Sequence, residues 1–443
     1  MWLLLGADAK VTASSWLAPL LVIVASTVAA SAPAALIEAA VRVGGTQALG
    51  LAAVASVSLL LTTVSTSVVL SSVVRSAVRR RSQAFSLWRV VGALPSQVST
   101  VVSLQLFLTA AVGAALGTAL AAIFLPSLLS LALESSSGLG GIRTPISVQT
   151  GLATAGLVVI YVAVVGAAPA HRAGYQSPIQ VLNDTGDSPR PALKLTSAGL
   201  LALVAGWMTA GLPSSLPTGA AQSVLIGPVL VAATAAAGPW VFPAASRAWS
   251  AVIRPGWSAA WFVARAHAIQ ADTRTGGPTA PLLVAIGLPV TFLVGQRTVE
   301  TANSSGGSGD SGALALILGG PVLLAIVGAA ARIFMSNEER GRASALMGIV
   351  GAGTGTRGLF VLWEVTIHVA TATLVSALLA VAVGLSIVAA VRHEAPDVHA
   401  ALEPDALAAV VALSAVFCLP AALLPALFAM RRRPIEAITS GGN

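Results

Sequence analysis

Charge is the scarcest thing in this sequence: 9% of its 443 residues are Asp, Glu, Lys or Arg, against roughly a quarter in soluble domains. A chain so poor in charge, 56% hydrophobic and with a mean hydropathy of +0.88, has lipid rather than water as its natural solvent. Lysine is nearly absent. Neither Lys10 nor Lys194 follows a glycine, so no G-x-x-x-x-G-K-[ST] phosphate loop exists and the chain brings no ATPase motif of its own. The cluster Gly351-Ala352-Gly353-Thr354-Gly355 lacks that lysine and reads as a chain break before an apolar run. Cys418 is the only cysteine, which excludes an intrachain disulfide and a cysteine metal cluster. No Ser/His/Asp arrangement, metal-spaced histidines or paired carboxylates occur, so neither a catalytic residue nor a metal site is expected. The net charge of +8 does not point to nucleic acid, because the basic residues are scattered through short loops between apolar runs.

What is abundant is long apolar runs. A bilayer core about 30 Å thick needs about 20 apolar residues per helix. Windows of that kind fall near 14–33, 47–73, 99–127, 147–169, 196–212, 221–245, 278–296, 312–334, 359–389 and 405–429. The fold class expected is therefore an all-α polytopic membrane protein with about ten transmembrane helices. The first run is read as a retained span, not a signal peptide, because the segment ahead of it is apolar and carries only Lys10. The fifth run is the shortest and ends at Pro213. Alternate loops carry 20 Lys and Arg on one side and four (Arg42, Arg143, Arg297 and Arg392) on the other. By the positive-inside rule this sets both termini in the cytoplasm of a bacterial inner-membrane protein.

The chain also repeats itself. Ala18-Pro19-Leu20-Leu21-Val22 recurs as Ala280-Pro281-Leu282-Leu283-Val284, 262 residues on, and Leu87-Trp88-Arg89-Val90-Val91-Gly92-Ala93 matches Leu346-Met347-Gly348-Ile349-Val350-Gly351-Ala352, 259 residues on. The same register carries Gln105 onto Glu364, and Pro169-Ala170 and Pro178-Ile179 onto Pro425-Ala426 and Pro434-Ile435 at an offset of 256. Shared order at a nearly shared offset implies two four-helix repeats, 1–185 and 256–443, joined by a two-helix linker, 186–255. Six spans separate equivalent points, so the repeats are parallel in the membrane.

In each repeat the loop after the second span is charged and then amphipathic, over residues about 81–97 and 340–356. In the first, Phe85, Trp88 and Val91, with Leu87 beside them, are expected on one face of a short surface helix, while Arg81 and Arg89 remain wet. Gly348, Gly353, Gly355 and Gly358 predict a shorter helix in the second repeat. The charged-then-Leu-Trp-Arg-Val-Val-Gly-Ala pattern, and the closing Pro434-Ile435-Glu436-Ala437-Ile438, resemble the FtsX/MacB-like ABC transporter permease family. The arrangement of two FtsX-like domains in ten helices is similar to that of peptide-resistance permeases. The resemblance implies a permease subunit, not an enzyme, that binds no cofactor itself. It implies coupling to a separate cytoplasmic ABC ATPase, in two copies, which holds ATP and Mg. It further implies coupling residues Phe85, Leu87, Trp88, Arg89, Val91, Gly92 and Ala93, with Leu346, Met347, Gly348, Val350, Gly351 and Ala352. The outer loops are too short for a folded domain, so membrane lipid and a hydrophobic or amphipathic substrate (peptide, lipid or antibiotic) are the expected contacts, and nucleic acid is not.

Three intramembrane polar residues stand out, Gln105, Glu364 and His368. Glu364 and His368 are one helical turn apart and form an i, i+4 pair, expected near the cytoplasmic end of the ninth span against neighbouring helices. Such a pair also leaves an ion-coupled secondary transporter open as an alternative. A second alternative is a non-transporting regulator that passes ATPase motion to another protein.

Overall fold

The computed structural model describes residues 2–136, 142, 144, 146–175, 191–210, 220–254, 256, 258–275, 277–302, 311–391, 398–402 and 404–430. The closing segments at 178–182 and 431–438 lie outside them. Among the described residues the regular structure is entirely α-helical. Its helices are α1 (Trp2–Val43), α2 (Gly45–Arg80), α3 (Ser82–Val90), α4 (Pro95–Glu134), α5 (Val148–Tyr175), α6 (Pro191–Ala210), α7 (Ala220–Ala236), α8 (Gly238–Ser250), α9 (Ala259–Thr275), α10 (Thr279–Ala302), α11 (Ser311–Met335), α12 (Asn337–Ile349), α13 (Thr354–Val391) and α14 (Pro404–Met430).

Eight of these are long and apolar enough to cross a membrane: α1, α2, α4, α5, α10, α11, α13 and α14. This makes the chain an all-α polytopic membrane protein. Each matches one expected window and overruns it, because backbone polar groups leaving lipid stay satisfied while the helix continues. The two linker windows differ. In α6 the apolar stretch among the described residues is Ala198–Thr209, shorter than a span. The sixth window is a pair, α7 and α8, bent by 88°. Pro239 has no N–H to give and its ring clashes with the preceding turn, so one helix ends at Ala236 and the next begins at Gly238.

The chain divides into two compact units, Met1–Asp187 with Gly309–Ala331, and Ser188–Ser308 with Arg332–Asn443. This division by packing does not run along the repeat, since it cuts α11 at Ala331. The first part of α11 is held in the first unit by Ser58 Oγ, which donates to Leu316 O at 3.2 Å, and Ser65 Oγ, which donates to Pro321 O at 2.9 Å. Gly328 there lies against Val69.

Within the first unit, Leu36, Leu51, Ala55, Ala121, Leu125 and Leu316 form one buried cluster. Gly113 and Gly117 of α4 face Ile23 and Thr27 of α1, where a Cβ would clash. Lipid gives helices no hydrophobic reason to associate, so such small-residue contacts supply the packing. The second unit has its own cluster of Ile226, Val299, Val383, Ile387 and Val391. Hydroxyls inside the spans bond back to their own helix, as when Ser26, Thr27 and Thr291 donate to Val22 O, Ile23 O and Gly287 O at 2.7–2.9 Å. Among the long spans, α1 and α10 are the most buried of their units, with 61% and 89% of their apolar windows buried.

Candidate functional site

The short helices α3 and α12 end in the same way. In the first, Gly92 N donates to Arg89 O at 3.1 Å and Ala93 N to Trp88 O at 3.0 Å. In the second, Gly351 N donates to Gly348 O at 3.1 Å and Ala352 N to Met347 O at 2.9 Å. This bond pair is the Schellman motif, whose turning residue adopts positive φ and is therefore usually glycine. Gly92 has φ +108° and Gly351 φ +96°. Both turns lead at once into a long span, at Pro95 and at Thr354. The 259-residue offset of the sequence thus recurs as one backbone geometry.

The side chains that face outward also match in position. Leu87, Val90 and Val91 are 61%, 69% and 89% exposed, and Leu346, Ile349 and Val350, each 259 residues later, are 60%, 62% and 90% exposed. Trp88, Arg89 and Ala93, and Met347, Gly348 and Ala352, are half-buried at the edges of these ridges, and Gly92 and Gly351 are exposed in the turns.

Three expectations need correction here. Phe85 does not share a face with Val91 and Leu87. It is buried, 1% exposed, with its ring edge-on to Trp88 at 5.6 Å between centroids. Six residues, about one and two-thirds turns, separate positions 85 and 91, so at about 100° per residue they lie roughly 120° apart around the axis. Arg81 is not wet but buried: Nη1 donates to Gln105 Oε1 at 3.0 Å and its guanidinium lies 5.7 Å from the Trp16 ring centroid and 5.4 Å from that of Phe85. Cation–π contact with two rings and a hydrogen bond offset the cost of removing that charge from water. Finally, α12 is longer than α3, 13 residues against nine. Its glycines do not shorten it, because Gly351 is the cap and Gly353, Gly355 and Gly358 lie beyond its end.

The equivalent arginine of the second unit is Arg340, which sequence reasoning had not singled out. It is 2% exposed, and Nε donates to Glu364 Oε1 at 2.9 Å. Nη1 donates to Ile333 O at 3.2 Å, satisfying a carbonyl at the end of α11. Glu364, 1% exposed, also faces His267 Nδ1 of α9 at 3.4 Å and His368 Nε2 at 4.0 Å, so the expected pair does meet. His368 Nδ1 lies 2.8 Å from Thr279 Oγ1 and 3.5 Å from Asp272 Oδ2. Thr279 Oγ1 sits 2.8 and 2.9 Å from the two Asp272 carboxylate oxygens. This buried chain of polar groups sits where α9 and α10 are interrupted, at Gly277 with φ +50°. The signal that could have found Arg340 was available, since Arg81 and Arg340 are separated by the same 259 residues as Gln105 and Glu364.

No group of His, Cys, Asp and Glu among the described residues has the geometry of a metal site. No curated protein and no solved structure gives a significant match to the chain. Residues 56–178 match the family model described as FtsX-like permease C-terminal, a stretch that runs from within α2 through α3 and α4 and past the end of α5. That match supports the FtsX/MacB-like ABC permease family for this chain, a family of non-enzymatic membrane transporter subunits that generally partner with cytoplasmic ABC ATPases.

Proposed function

We propose that this protein is the permease of an ABC exporter whose motor is a separate cytoplasmic ATPase, in two copies, docking on α3 and α12. The observation that carries this reading is the pair of exposed apolar ridges, Leu87, Val90 and Val91 with Leu346, Ile349 and Val350, at one offset and on one backbone geometry. Two identical motor subunits need two equivalent seats, and an exposed apolar ridge beside half-buried Arg89 is the chemistry of a protein contact. The division into repeats at 1–185 and 256–443 follows the same logic. ATP and Mg belong to the motor, and the permease itself binds no cofactor.

In this reading both termini and both short helices lie on the cytoplasmic side of a bacterial inner membrane, a placement that the 20 basic residues of the alternate loops support. The outward apolar residues of the spans, such as Leu116, Ile123 and Phe124 of α4 and Leu152, Ile160 and Val164 of α5, meet lipid. The cargo is hydrophobic or amphipathic, a peptide, lipid or antibiotic leaving through or from the bilayer. The test is co-purification of the chain with a cytoplasmic ABC ATPase from its native cells. Leu87→Glu with Val91→Glu, and Leu346→Glu with Val350→Glu, are expected to abolish the complex while leaving the permease folded. A complex that survives all four changes overturns the reading.

A second reading, an ion-coupled carrier, draws on the buried polar chain: Glu364 Oε2 and His368 Nε2 have no hydrogen-bond partner among the described residues. It predicts transport that survives ATP depletion and ceases in the Glu364→Gln, His368→Gln double variant. The ABC reading predicts transport that stops when ATP is removed.

A further inference from the structure

We propose that Arg81 and Arg340 are equivalent positioning residues, which brace α3 and α12 against the spans that follow them through a neutral partner in the first unit and a charged one in the second. The proposal rests on the reading of these helices as the motor-facing segments, and it assigns a role to two residues outside the exposed ridges.

The argument is mechanical. Each short helix is joined to its span at one end by a glycine turn, Gly92 or Gly351, whose backbone leaves the helix free to swing. The other end continues into the preceding span through a single residue, Arg81 or Ser336, so a push on the outer ridge reaches that span but not the one that follows. A cross-link from this end to the following span closes the triangle. Arg81 precedes the first residue of α3 and reaches Gln105 of α4, while Arg340, in the first turn of α12, reaches Glu364 of α13. In both cases 24 residues separate the partners. Both acceptors lie at the same depth, ten residues beyond the helix starts at Pro95 and Thr354. With the Arg in place, force on the ridge arrives inside the span at the position of Gln105 or Glu364.

The two braces differ in chemistry and reach. Gln105 is a neutral amide, and the rings of Trp16 and Phe85 also lie beside the Arg81 guanidinium. Glu364 is a carboxylate, and through His267 and, one turn on, His368 it meets α9 and α10 on both sides of the interruption at Gly277. The charged brace therefore ties α12 to the helices that open its repeat as well as to α13, and is the stiffer of the two.

Ser86 and Ala345 stand 259 residues apart on the inner faces of α3 and α12, 7% and 4% exposed, and serve as matched reporters. In a Cys418→Ala background, Ser86→Cys and Ala345→Cys each supply one thiol, and the readout is its rate of maleimide modification in the purified, detergent-solubilised chain. Arg340→Leu is expected to speed modification at position 345 by about a hundredfold or more, and Arg81→Leu to speed it at position 86 by about tenfold. Exchange of the partners is the sharper test, because it keeps both side chains and their shapes. Glu364→Gln is expected to raise the rate at 345 and Gln105→Glu to lower the rate at 86, each by several-fold, with no change at the other reporter.

Rates that ignore both exchanges overturn the proposal, and they decide it even where an Arg→Leu variant fails to accumulate. Equal responses in the two units overturn the asymmetry. Since no ATPase is present in this assay, failure of the brace is separate from failure of the docking reading, which is judged by co-purification alone.

Discussion

The two halves of the chain solve one problem with unequal means. In the first unit α1 runs unbroken from Trp2 to Val43, and the buried arginine at the short helix meets an amide and two aromatic rings. In the second the corresponding stretch is interrupted between α9 and α10, and the buried arginine meets a carboxylate joined to two histidines, a threonine and an aspartate. The backbone geometry shared at Gly92 and Gly351 is not matched by the polar interior beside each turn. The backbone turn is dictated by sterics and tolerates one solution, whereas a buried cation needs only some acceptor in reach.

The comparison breaks most visibly at the arginines. Arg340→Ala leaves Glu364 buried beside a lost guanidinium, and removal of one partner from such a pair costs about 3–5 kcal/mol. Arg81→Ala leaves a neutral amide and costs about 1–2 kcal/mol. Both are read as shifts in the midpoint of denaturant unfolding in mixed micelles, and equal losses would erase the distinction between the units. Next in size, Phe85→Ala empties a buried site and is expected to cost about 3 kcal/mol. Its counterpart Ser344→Ala, at a half-buried position, stays within about 0.5 kcal/mol. The glycine turns should behave alike: Gly92→Ala and Gly351→Ala each place a Cβ at positive φ and cost about 1–2 kcal/mol. A large difference between them would mean that the shared geometry is not shared energetically. Smallest of all, Leu87→Ala and Leu346→Ala, both on exposed ridges, are expected to shift stability by under about 0.5 kcal/mol while weakening ATPase co-purification.

Much of this was legible in one dimension. Apolar runs located the eight long spans, because a lipid-facing helix has no polar face to obscure its length. The register that set Gln105 against Glu364 also located the two glycine turns. The linker was less legible. Composition marks residues 221–245 as apolar but does not reveal that Gly238-Pro239 would turn the chain by 88°. Nor does helical spacing say which way a side chain turns. Phe85 and Leu87 are both apolar on a short helix, yet one is buried and the other exposed, since inward is defined by where α4 and α5 lie.

Local sequence determined the long spans and the turns where glycine must take positive φ, which follow from the solvation of backbone groups and from sterics within a few residues. Only tertiary structure decided that Arg81 and Arg340 would be buried, that α11 would serve two compact units, and that Asp272, Thr279, His368, Glu364 and His267 would meet at a helix interruption. The physical reason is that a charged side chain is stable inside the protein only if partners from distant parts of the chain converge on it, and convergence is a property of packing.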